Sequence, residues 1–259
     1  MNILANLLMG GLSGSSAGDA AGITKILVPE MEKHGYDKAF SCGVTASASI
    51  LANLIPPSIM FMVYGAVAQV SIGRLFLAGI LPGCVLALAF MVASYIVSVR
   101  RGYKGLGQRA RAADVAKEAR SALWALPMPV IILGGMRFGV TTPTEAAAVA
   151  VVYALVVGVF IYRELKPSRL PRLLLEASLE TSMIMMILGA SQPFSWVLTA
   201  EEIPQQVARL FTGISPDPTV ILLMLNVFLL IVGLPLEAAP GIIILVPILA
   251  PVIRSLGMD

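Results

Sequence analysis

Residues 10–19, GGLSGSSAGD, form a run of small and polar residues directly after the apolar segment 2–9. A second polar stretch comes later in an uncharged region, with TASAS at 45–49 and NLIPPS at 53–58. Hydrocarbon cannot hydrogen-bond a backbone carbonyl or N–H, so broken helices at membrane depth occur only inside protein or beside a water-filled cavity. The two stretches therefore predict a transport or channel site.

Composition supports a membrane protein and argues against several other classes. The chain is 58% hydrophobic and 13% charged, whereas soluble proteins carry about 25% charged residues. The net charge of +3 comes from loops between apolar spans, which does not indicate a nucleic-acid-binding protein. The single histidine, His34, lies in a charged loop between apolar segments, so we predict neither a metal site with several His ligands nor a Ser/His/Asp triad. No phosphate-binding loop occurs, so we predict neither an enzyme nor ATP hydrolysis.

The apolar spans predict an all-α polytopic membrane protein, because a membrane helix needs about 20 mainly apolar residues. Short apolar segments interrupted by Gly or Pro predict re-entrant hairpins of a secondary transporter. The predicted elements are a first re-entrant hairpin at 2–29, a discontinuous helix at 39–69, membrane helices at 75–99, 121–136, 145–162 and 181–200, an interfacial helix at 163–180 and a second re-entrant hairpin at 218–253. Basic loops at 100–120 and 163–172 are predicted to be cytoplasmic, and the acidic loop 201–217 to lie outside.

An internal repeat relates the two ends of the chain. ILVP at 26–29, followed by GYD at 35–37, matches ILAP at 248–251, followed by GMD at 257–259, without a gap. The same offset aligns the Gly/Ser tip with the tip at 233–241. An odd number of predicted crossings separates the copies, which predicts opposite orientations. Such inverted repeats place substrate and ions near the membrane midplane, at the broken helices.

Candidate binding residues lie at the two tips and in the broken helix. They are Ser13, Gly14, Ser15, Ser16, Ser47, Ser49, Asn53, Pro56, Gly233 and Glu237. Oxygen ligands without a fixed carboxylate suit a hard cation, so Ser15, Ser49, Asn53 and neighbouring carbonyls are the predicted Na⁺ ligands. Simple helix–helix packing is the alternative interpretation of the small residues.

Three carboxylates lie close to helix starts. Asp19 and Glu237, near the two tips, are either functional groups or helix caps. Glu145 follows Thr142 and Pro143 in the pattern of a capping box, so a structural role is predicted there.

Several ordered motifs resemble one transporter family. They are GLSGSSAGDAA at 11–21, GYD at 35–37, IPPSI at 55–59, VSIGRLFLAGILPG at 70–83, TPTEAAA at 142–148 and LVPIL at 245–249. Across essentially all 259 residues, the chain resembles the large, DctM-like membrane subunit of tripartite ATP-independent periplasmic (TRAP) transporters.

The resemblance implies an elevator-type, Na⁺-coupled importer of small organic acids in the bacterial inner membrane. It implies no cofactor other than Na⁺ as coupling ion. The implied partners are a small four-helix membrane subunit, a periplasmic substrate-binding protein and the lipid bilayer, with no nucleic acid. The family's sites fall on 13–16 with 47–57, and on 233–241. Where the family usually has Gly-Pro, this chain has Ala52 and Asn53.

Two alternatives stay open at this stage. The family continues beyond both ends of this sequence, which suggests a truncated and inactive permease fragment. A channel-like or structural membrane component is the other alternative. The two opposed hairpins favour a transporter, because channels do not require them.

Overall fold

The structure is a computed structural model that describes residues 1–103, 122–214 and 217–255. Within these ranges the regular structure is helical and contains no strand, which confirms the predicted all-α class. The helices are α1 (Asn2–Ser13), α2 (Ser16–Lys33), α3 (Lys38–Ser49), α4 (Ile59–Ala68), α5 (Ile72–Arg100), α6 (Pro127–Arg137), α7 (Pro143–Val156), α8 (Leu170–Ala200), α9 (Ile203–Ile214), α10 (Pro218–Val232) and α11 (Ala238–Ser255). Short 3₁₀ turns occupy Ile50–Asn53, Ala122–Trp124 and Pro167–Arg169, and a π-helical turn at Val157–Ile161 extends α7.

Parts of three predictions fall outside the described residues. They are most of the basic loop 100–120, the first residue of the predicted helix 121–136, and the GMD end of the repeat at 257–259.

The chain forms two compact units. The first comprises Met1–Phe61 and Ser71–Pro167, and the second comprises Met62–Val70 and Ser168–Asp259. In the described part of the chain, three helical segments are long and apolar enough to cross a membrane: Ile72–Arg100, Pro143–Ile161 and Pro167–Leu198. Many of their large apolar side chains are exposed, among them Leu81, Val152 and Met186. Such a surface suits lipid rather than water.

In the first unit, α1 and α2 form an antiparallel helical hairpin. Asn2, at the start of α1, lies 3.3 Å from the sulfur of Met31, at the end of α2. A buried cluster of Ile3, Ala48, Leu51 and Ala87 joins α1 to α3, to the 3₁₀ turn that follows α3, and to α5. The hairpin is thus held against the segment where the chain leaves helical geometry.

The start of α7 is a capping box. The Thr142 hydroxyl accepts a hydrogen bond from the Glu145 N–H at 3.3 Å, and the Glu145 carboxylate accepts one from the Thr142 N–H at 2.7 Å. Pro143 occupies the first turn, where its missing N–H leaves no helical bond unmade. The structural role predicted for Glu145 is confirmed.

In the second unit, one helix replaces two predicted elements. We expected an interfacial helix at 163–180 and a separate membrane helix at 181–200, but α8 runs without interruption from Leu170 to Ala200. The polar residues at the expected boundary do not break it. The hydroxyls of Ser178 and Thr181 donate to the Leu174 and Ala177 carbonyls, one turn earlier. Their polar groups are therefore satisfied inside the helix.

A helix also occupies much of the loop predicted at 201–217. The chain turns at Glu202, where φ is 53°, and α9 then runs from Ile203 to Ile214. Its apolar residues recur at helical spacing, at 203, 207, 210 and 214. The loop predicted between the membrane spans therefore contains a helix, and its position on the outer side stays a prediction.

The helices α10 and α11 share a buried cluster of Ile221, Leu225 and Leu249. The repeat found in the sequence reappears in the helix boundaries. Helices α2 and α11 are each 18 residues long, and Pro29 and Pro251 each stand at the fourteenth position. Two segments matched by sequence thus begin their second helices in the same register.

Candidate functional site

The tip of the first hairpin is a tight turn built on Gly14. Helix α1 ends at Ser13, and Gly14 adopts a left-handed conformation with φ 64°. Its N–H donates to the Gly10 carbonyl at 3.1 Å. Ser15 then caps α2, because its hydroxyl accepts the Gly18 N–H at 3.3 Å. Glycine is the residue that takes this conformation without steric cost.

A buried carboxyl group lies directly behind this tip. Asp19 is 2% exposed, and its Oδ1 accepts a hydrogen bond from the Ser13 hydroxyl at 2.6 Å. The second oxygen, Oδ2, is buried and has no hydrogen-bond partner among the described residues.

The second wall of the site is the broken helix. Helix α3 ends at Ser49, continues as a 3₁₀ turn to Asn53, and resumes as α4 only at Ile59. Between them the Pro56–Pro57 peptide bond is cis. The Ser58 hydroxyl donates to the freed Asn53 carbonyl at 2.8 Å. The Asn53 side-chain oxygen, Oδ1, is buried without a partner in the described part of the chain.

The tip and the broken helix contact each other directly. The Ile59 N–H donates to the Gly14 carbonyl at 3.3 Å. A methyl group added to Gly14 would collide with the Pro57 carbonyl oxygen, and one added to Gly10 would lie 2.9 Å from Ala52 Cα. The two polar stretches that are separate in the sequence therefore form one junction, which we call the tip junction (residues 10–19 with 49–59).

The tip junction includes most, but not all, of the predicted first-site residues. Ser13, Gly14, Ser15 and Ser16 form its turn, and Asn53 and Pro56 its opposite wall. Ser49 is buried at the end of α3, where its hydroxyl donates to the Ala46 carbonyl at 2.9 Å. Ligation of Na⁺ by Ser15, Ser49 and Asn53 stays a prediction.

The structure does not bring Ser47 to the tip junction. It lies in a groove with Phe40, Phe90 and Ser94, between α3 and α5. Helix α3 continues to Ser49, so the break in the helix begins beyond Ser47. Residues two positions apart lie on nearly opposite faces of a helix, so the side chains of Ser47 and Ser49 point in different directions.

In the second unit, Gly233 and Glu237 line a cavity of about 330 Å³ at the turn between α10 and α11, together with Tyr64 of α4. The Gly233 N–H donates to the Leu229 carbonyl at 2.8 Å. Glu237 is exposed, and its carbonyl accepts the Gly241 N–H at 3.0 Å. Among the residues the structure describes, no group of three or more His, Cys, Asp or Glu side chains could hold a metal ion.

A buried polar network, which we did not predict from the sequence, lies at the base of the first hairpin. Asn6 donates to the Asn2 side-chain oxygen at 2.8 Å, and Asn2 donates to the Thr45 hydroxyl at 2.7 Å. Thr45 in turn donates to the Ser41 carbonyl at 2.8 Å. The spacing of the two asparagines, four residues apart on an apolar helix, was the available signal. The network ties α1 to α3 and so fixes the hairpin relative to the broken helix.

Replacing Thr45 by valine is expected to destabilise the hairpin by about 1–3 kcal/mol, because the Asn2 amide loses its buried acceptor. Thr181→Val is the matched control, since that hydroxyl also donates to a carbonyl four residues earlier but is exposed. The measurement is thermal unfolding of the purified membrane protein. Equal losses in the two variants would contradict a special role for the network.

With the geometry established, known proteins provide the comparison. The family described as "Tripartite ATP-independent periplasmic transporter, DctM component" matches residues 1–259. The chain is 42% identical to the C4-dicarboxylate TRAP transporter large permease protein DctM of Pseudomonas aeruginosa, over 99% of this chain and 60% of that protein. It is 38% identical to the sialic acid TRAP transporter large permease protein SiaM of Vibrio cholerae, over 100% of this chain and 60% of that protein.

A third relative, the 2,3-diketo-L-gulonate TRAP transporter large permease protein YiaN of Escherichia coli, is 36% identical over 100% of this chain and 61% of its own length. The chain thus spans about 60% of the length of these relatives. These relatives are transporter permeases and not enzymes, in agreement with the sequence analysis. The matching family covers the tip junction, the broken helix and the second hairpin, and the chain belongs to the DctM component family of tripartite ATP-independent periplasmic transporters.

Proposed function

We propose that this chain is the membrane-embedded core of a TRAP transporter that imports a small organic acid by coupling its uptake to Na⁺ entry. The observation that carries the proposal is the tip junction. Two buried oxygens, Asp19 Oδ2 behind the hairpin tip and Asn53 Oδ1 in the broken helix, lack a partner among the described residues. The Ile59 N–H, which donates to the Gly14 carbonyl, joins the same two segments. Buried polar atoms normally have a partner. A bound cation is a suitable partner for a group of oxygen atoms that receives no hydrogen bond.

The oxygen chemistry favours Na⁺ over a transition metal. Hydroxyl, amide and carbonyl oxygens surround the junction, and neither cysteine nor the histidine lies in it. A single carboxyl group, Asp19, gives a site with little excess negative charge, which suits a monovalent ion that must bind and leave in each cycle. We further propose that the organic-acid substrate binds near the coupling ion, beside the tip junction.

The proposal includes an elevator-type movement with re-entrant hairpins. Its support is the pair of helical hairpins whose second helices share the same length and proline position. Matched hairpins in two repeats support alternating access, in which one body of the protein moves against another.

The proposed partners are a small membrane subunit and a periplasmic binding protein that delivers the substrate. The related proteins are named for C4-dicarboxylate, sialic acid and 2,3-diketo-L-gulonate transport. What these solutes share is at least one acidic group on a small polar body, so we propose a small organic acid here. The proposed location is the bacterial inner membrane.

The test is uptake by proteoliposomes that contain the native permease complex and receive its binding protein. Labelled succinate, N-acetylneuraminate and gluconate are supplied with an inward Na⁺ gradient, with the same salt on both sides, or with K⁺ in place of Na⁺. We expect accumulation of at least one acid only with the Na⁺ gradient. Accumulation that is equal in all three conditions would exclude Na⁺ coupling. Passive equilibration without accumulation would favour the channel-like alternative.

A further inference from the structure

Helices α1 and α3 face each other along a line of polar residues that leads from the base of the first hairpin towards the tip junction. We call this line the seam, and its members are Asn2, Asn6, Ser41, Thr45 and Ser49. On each helix they recur every four residues, so they lie on one face of it. All five residues are buried, with exposed fractions between 0% and 8%. Both helices belong to the first unit.

The two helices lie parallel along the seam and keep the same register. At its base end the Asn2 amide donates to the Thr45 hydroxyl at 2.7 Å. Further along α1, a methyl group added to Gly10 would lie 2.9 Å from Ala52 Cα. The partners in these two contacts are separated by nearly the same number of residues, so α1 stays beside the same segment over the whole interval. Asn6 lies halfway between the two contacts and is 0% exposed.

Unpaired oxygen atoms are concentrated along this seam and at its tip end. Among the described residues, four buried side-chain polar atoms have no hydrogen-bond partner, and three of them are Asn6 Oδ1, Asn53 Oδ1 and Asp19 Oδ2. The Asn6 amide is already used, since it donates to the Asn2 carbonyl at 3.1 Å and to the Asn2 side-chain oxygen at 2.8 Å. A buried polar atom without a protein partner is commonly satisfied by water.

The base end of the seam meets a cavity of about 640 Å³. Asn2 lines this cavity, and other polar side chains also line it, among them Glu30, His34, Tyr36 and Ser98. A cavity of this size with polar groups in its wall is roomy enough to hold water. Helix α5 ends just beyond Ser98, and the basic loop that follows it is predicted to be cytoplasmic. The cavity therefore lies on the predicted cytoplasmic side.

A single hydrogen bond separates the cavity from the interior of the seam. It is the bond from the Asn2 amide to the Thr45 hydroxyl. Thr45 has its own bond to the Ser41 carbonyl at 2.8 Å, so its hydroxyl proton stays paired when Asn2 turns away. In the cavity, water can replace Thr45 as the acceptor for Asn2. Rotation of this one side chain would thus open the seam without unwinding either helix.

We propose that the seam is the route by which water reaches the tip junction and the coupling ion leaves it toward the cytoplasm. This inference rests on the proposed function and adds the path of the ion to it. The seam offers oxygen atoms in successive helical turns, and oxygen is the ligand that a hard cation prefers. At 1.5 Å per residue, the distance from Asn2 to Ser13 is about 16 Å, roughly half the thickness of the hydrocarbon core. Such a path ends at the depth where a midplane site lies.

The first test measures whether a small water-soluble cation reaches Asn6. In the native complex, with Cys42 and Cys84 replaced by serine, Asn6→Cys is treated with a positively charged methanethiosulfonate reagent, and its modification is followed by mass spectrometry. Ala87→Cys is the matched control, because Ala87 is 1% exposed but lies in the apolar cluster of the same unit. We expect Asn6→Cys to react about tenfold faster, the ratio that 1.4 kcal/mol in the free energy of opening gives. Equal rates would overturn the inference and leave the seam as polar packing between helices.

A second variant removes the polar side chains of α1 without leaving either amide unpaired. Asn2→Leu/Asn6→Leu replaces both amides by apolar groups of similar shape, and Thr45 keeps its bond to Ser41. We expect the unfolding temperature not to fall and initial uptake to fall about tenfold or more, because an ion cannot cross an apolar segment without water. Asn226→Leu is the control, since that amide also donates to a carbonyl four residues earlier but is exposed. Wild-type uptake by the double variant would contradict the route.

Labelling and uptake together separate this inference from the proposed function. If the complex accumulates an acid with Na⁺ while Asn6→Cys and Ala87→Cys react equally slowly, the route alone is refuted. If Asn6→Cys reacts faster in a complex that shows no Na⁺-driven accumulation, Na⁺ coupling is refuted and the seam stays a route for water.

Discussion

Gly14→Ala is expected to abolish uptake of the organic acid. Alanine in the left-handed conformation costs about 1–2 kcal/mol by itself. Here the new methyl group would also meet the Pro57 carbonyl oxygen, so the hairpin tip must move away from the broken helix. The Gly14 carbonyl would then lose the Ile59 N–H, which bonds it at 3.3 Å. The measurement is initial uptake by proteoliposomes at equal protein content.

Gly35→Ala is the control for Gly14→Ala. Gly35 also has positive φ, 81°, but no atom lies within 4 Å of an added methyl group. That variant carries the backbone strain without the collision, and we expect it to retain most uptake. If both variants lose uptake equally, the loss cannot be attributed to the contact between the hairpin tip and the broken helix, and the prediction is contradicted.

Asp19→Asn is expected to have the second largest effect. Asparagine has nearly the same shape and can keep the Ser13 hydrogen bond, but it removes the carboxylate whose Oδ2 is buried without a partner among the described residues. If Oδ2 is a ligand of the coupling ion, the apparent Na⁺ affinity should fall roughly tenfold or more, the range expected for a charged hydrogen-bonding group. The measurement is uptake as a function of Na⁺ concentration.

Asp37→Asn provides the comparison for Asp19→Asn. Asp37 caps α3 at an exposed position, where its carboxylate accepts the Phe40 N–H at 3.0 Å. Asparagine caps helices about as well, so this variant should behave as the wild type. An unchanged Na⁺ dependence in Asp19→Asn would show that Asp19 does not bind Na⁺ and only stabilises the tip through its hydrogen bond with Ser13.

The helical character of the chain could be predicted from the sequence because it depends on local chemistry. Apolar runs of the required length indicate membrane helices, and the proline pair at 56 and 57 indicates a break, since proline removes a donor wherever it stands. The repeat around Pro29 and Pro251 can also be recognised in the sequence alone. In the structure, these prolines occupy the same position in helices α2 and α11.

Other features could not be predicted because they depend on residues far apart in the chain. The contact of Gly14 with Pro57 and Ile59 joins two segments that no local pattern relates. The same holds for the bond between Asn2 and Thr45, 43 residues apart. The exclusion of Ser47 from the tip junction follows from where α3 ends, which is a matter of packing against α1 and α5.

From the sequence alone, this protein could be predicted to be a helical membrane protein of the TRAP large-permease type, with polar tips and a broken helix. This prediction is possible because backbone polar groups facing lipid must be hydrogen-bonded within the protein. An interruption of an apolar run therefore indicates a segment that lies inside protein or beside a water-filled cavity. The three-dimensional structure was needed to show which polar groups share a junction and which have no partner among the described residues. These contacts depend on how side chains of helices distant in the sequence pack together, and the sequence of a single segment does not specify that packing.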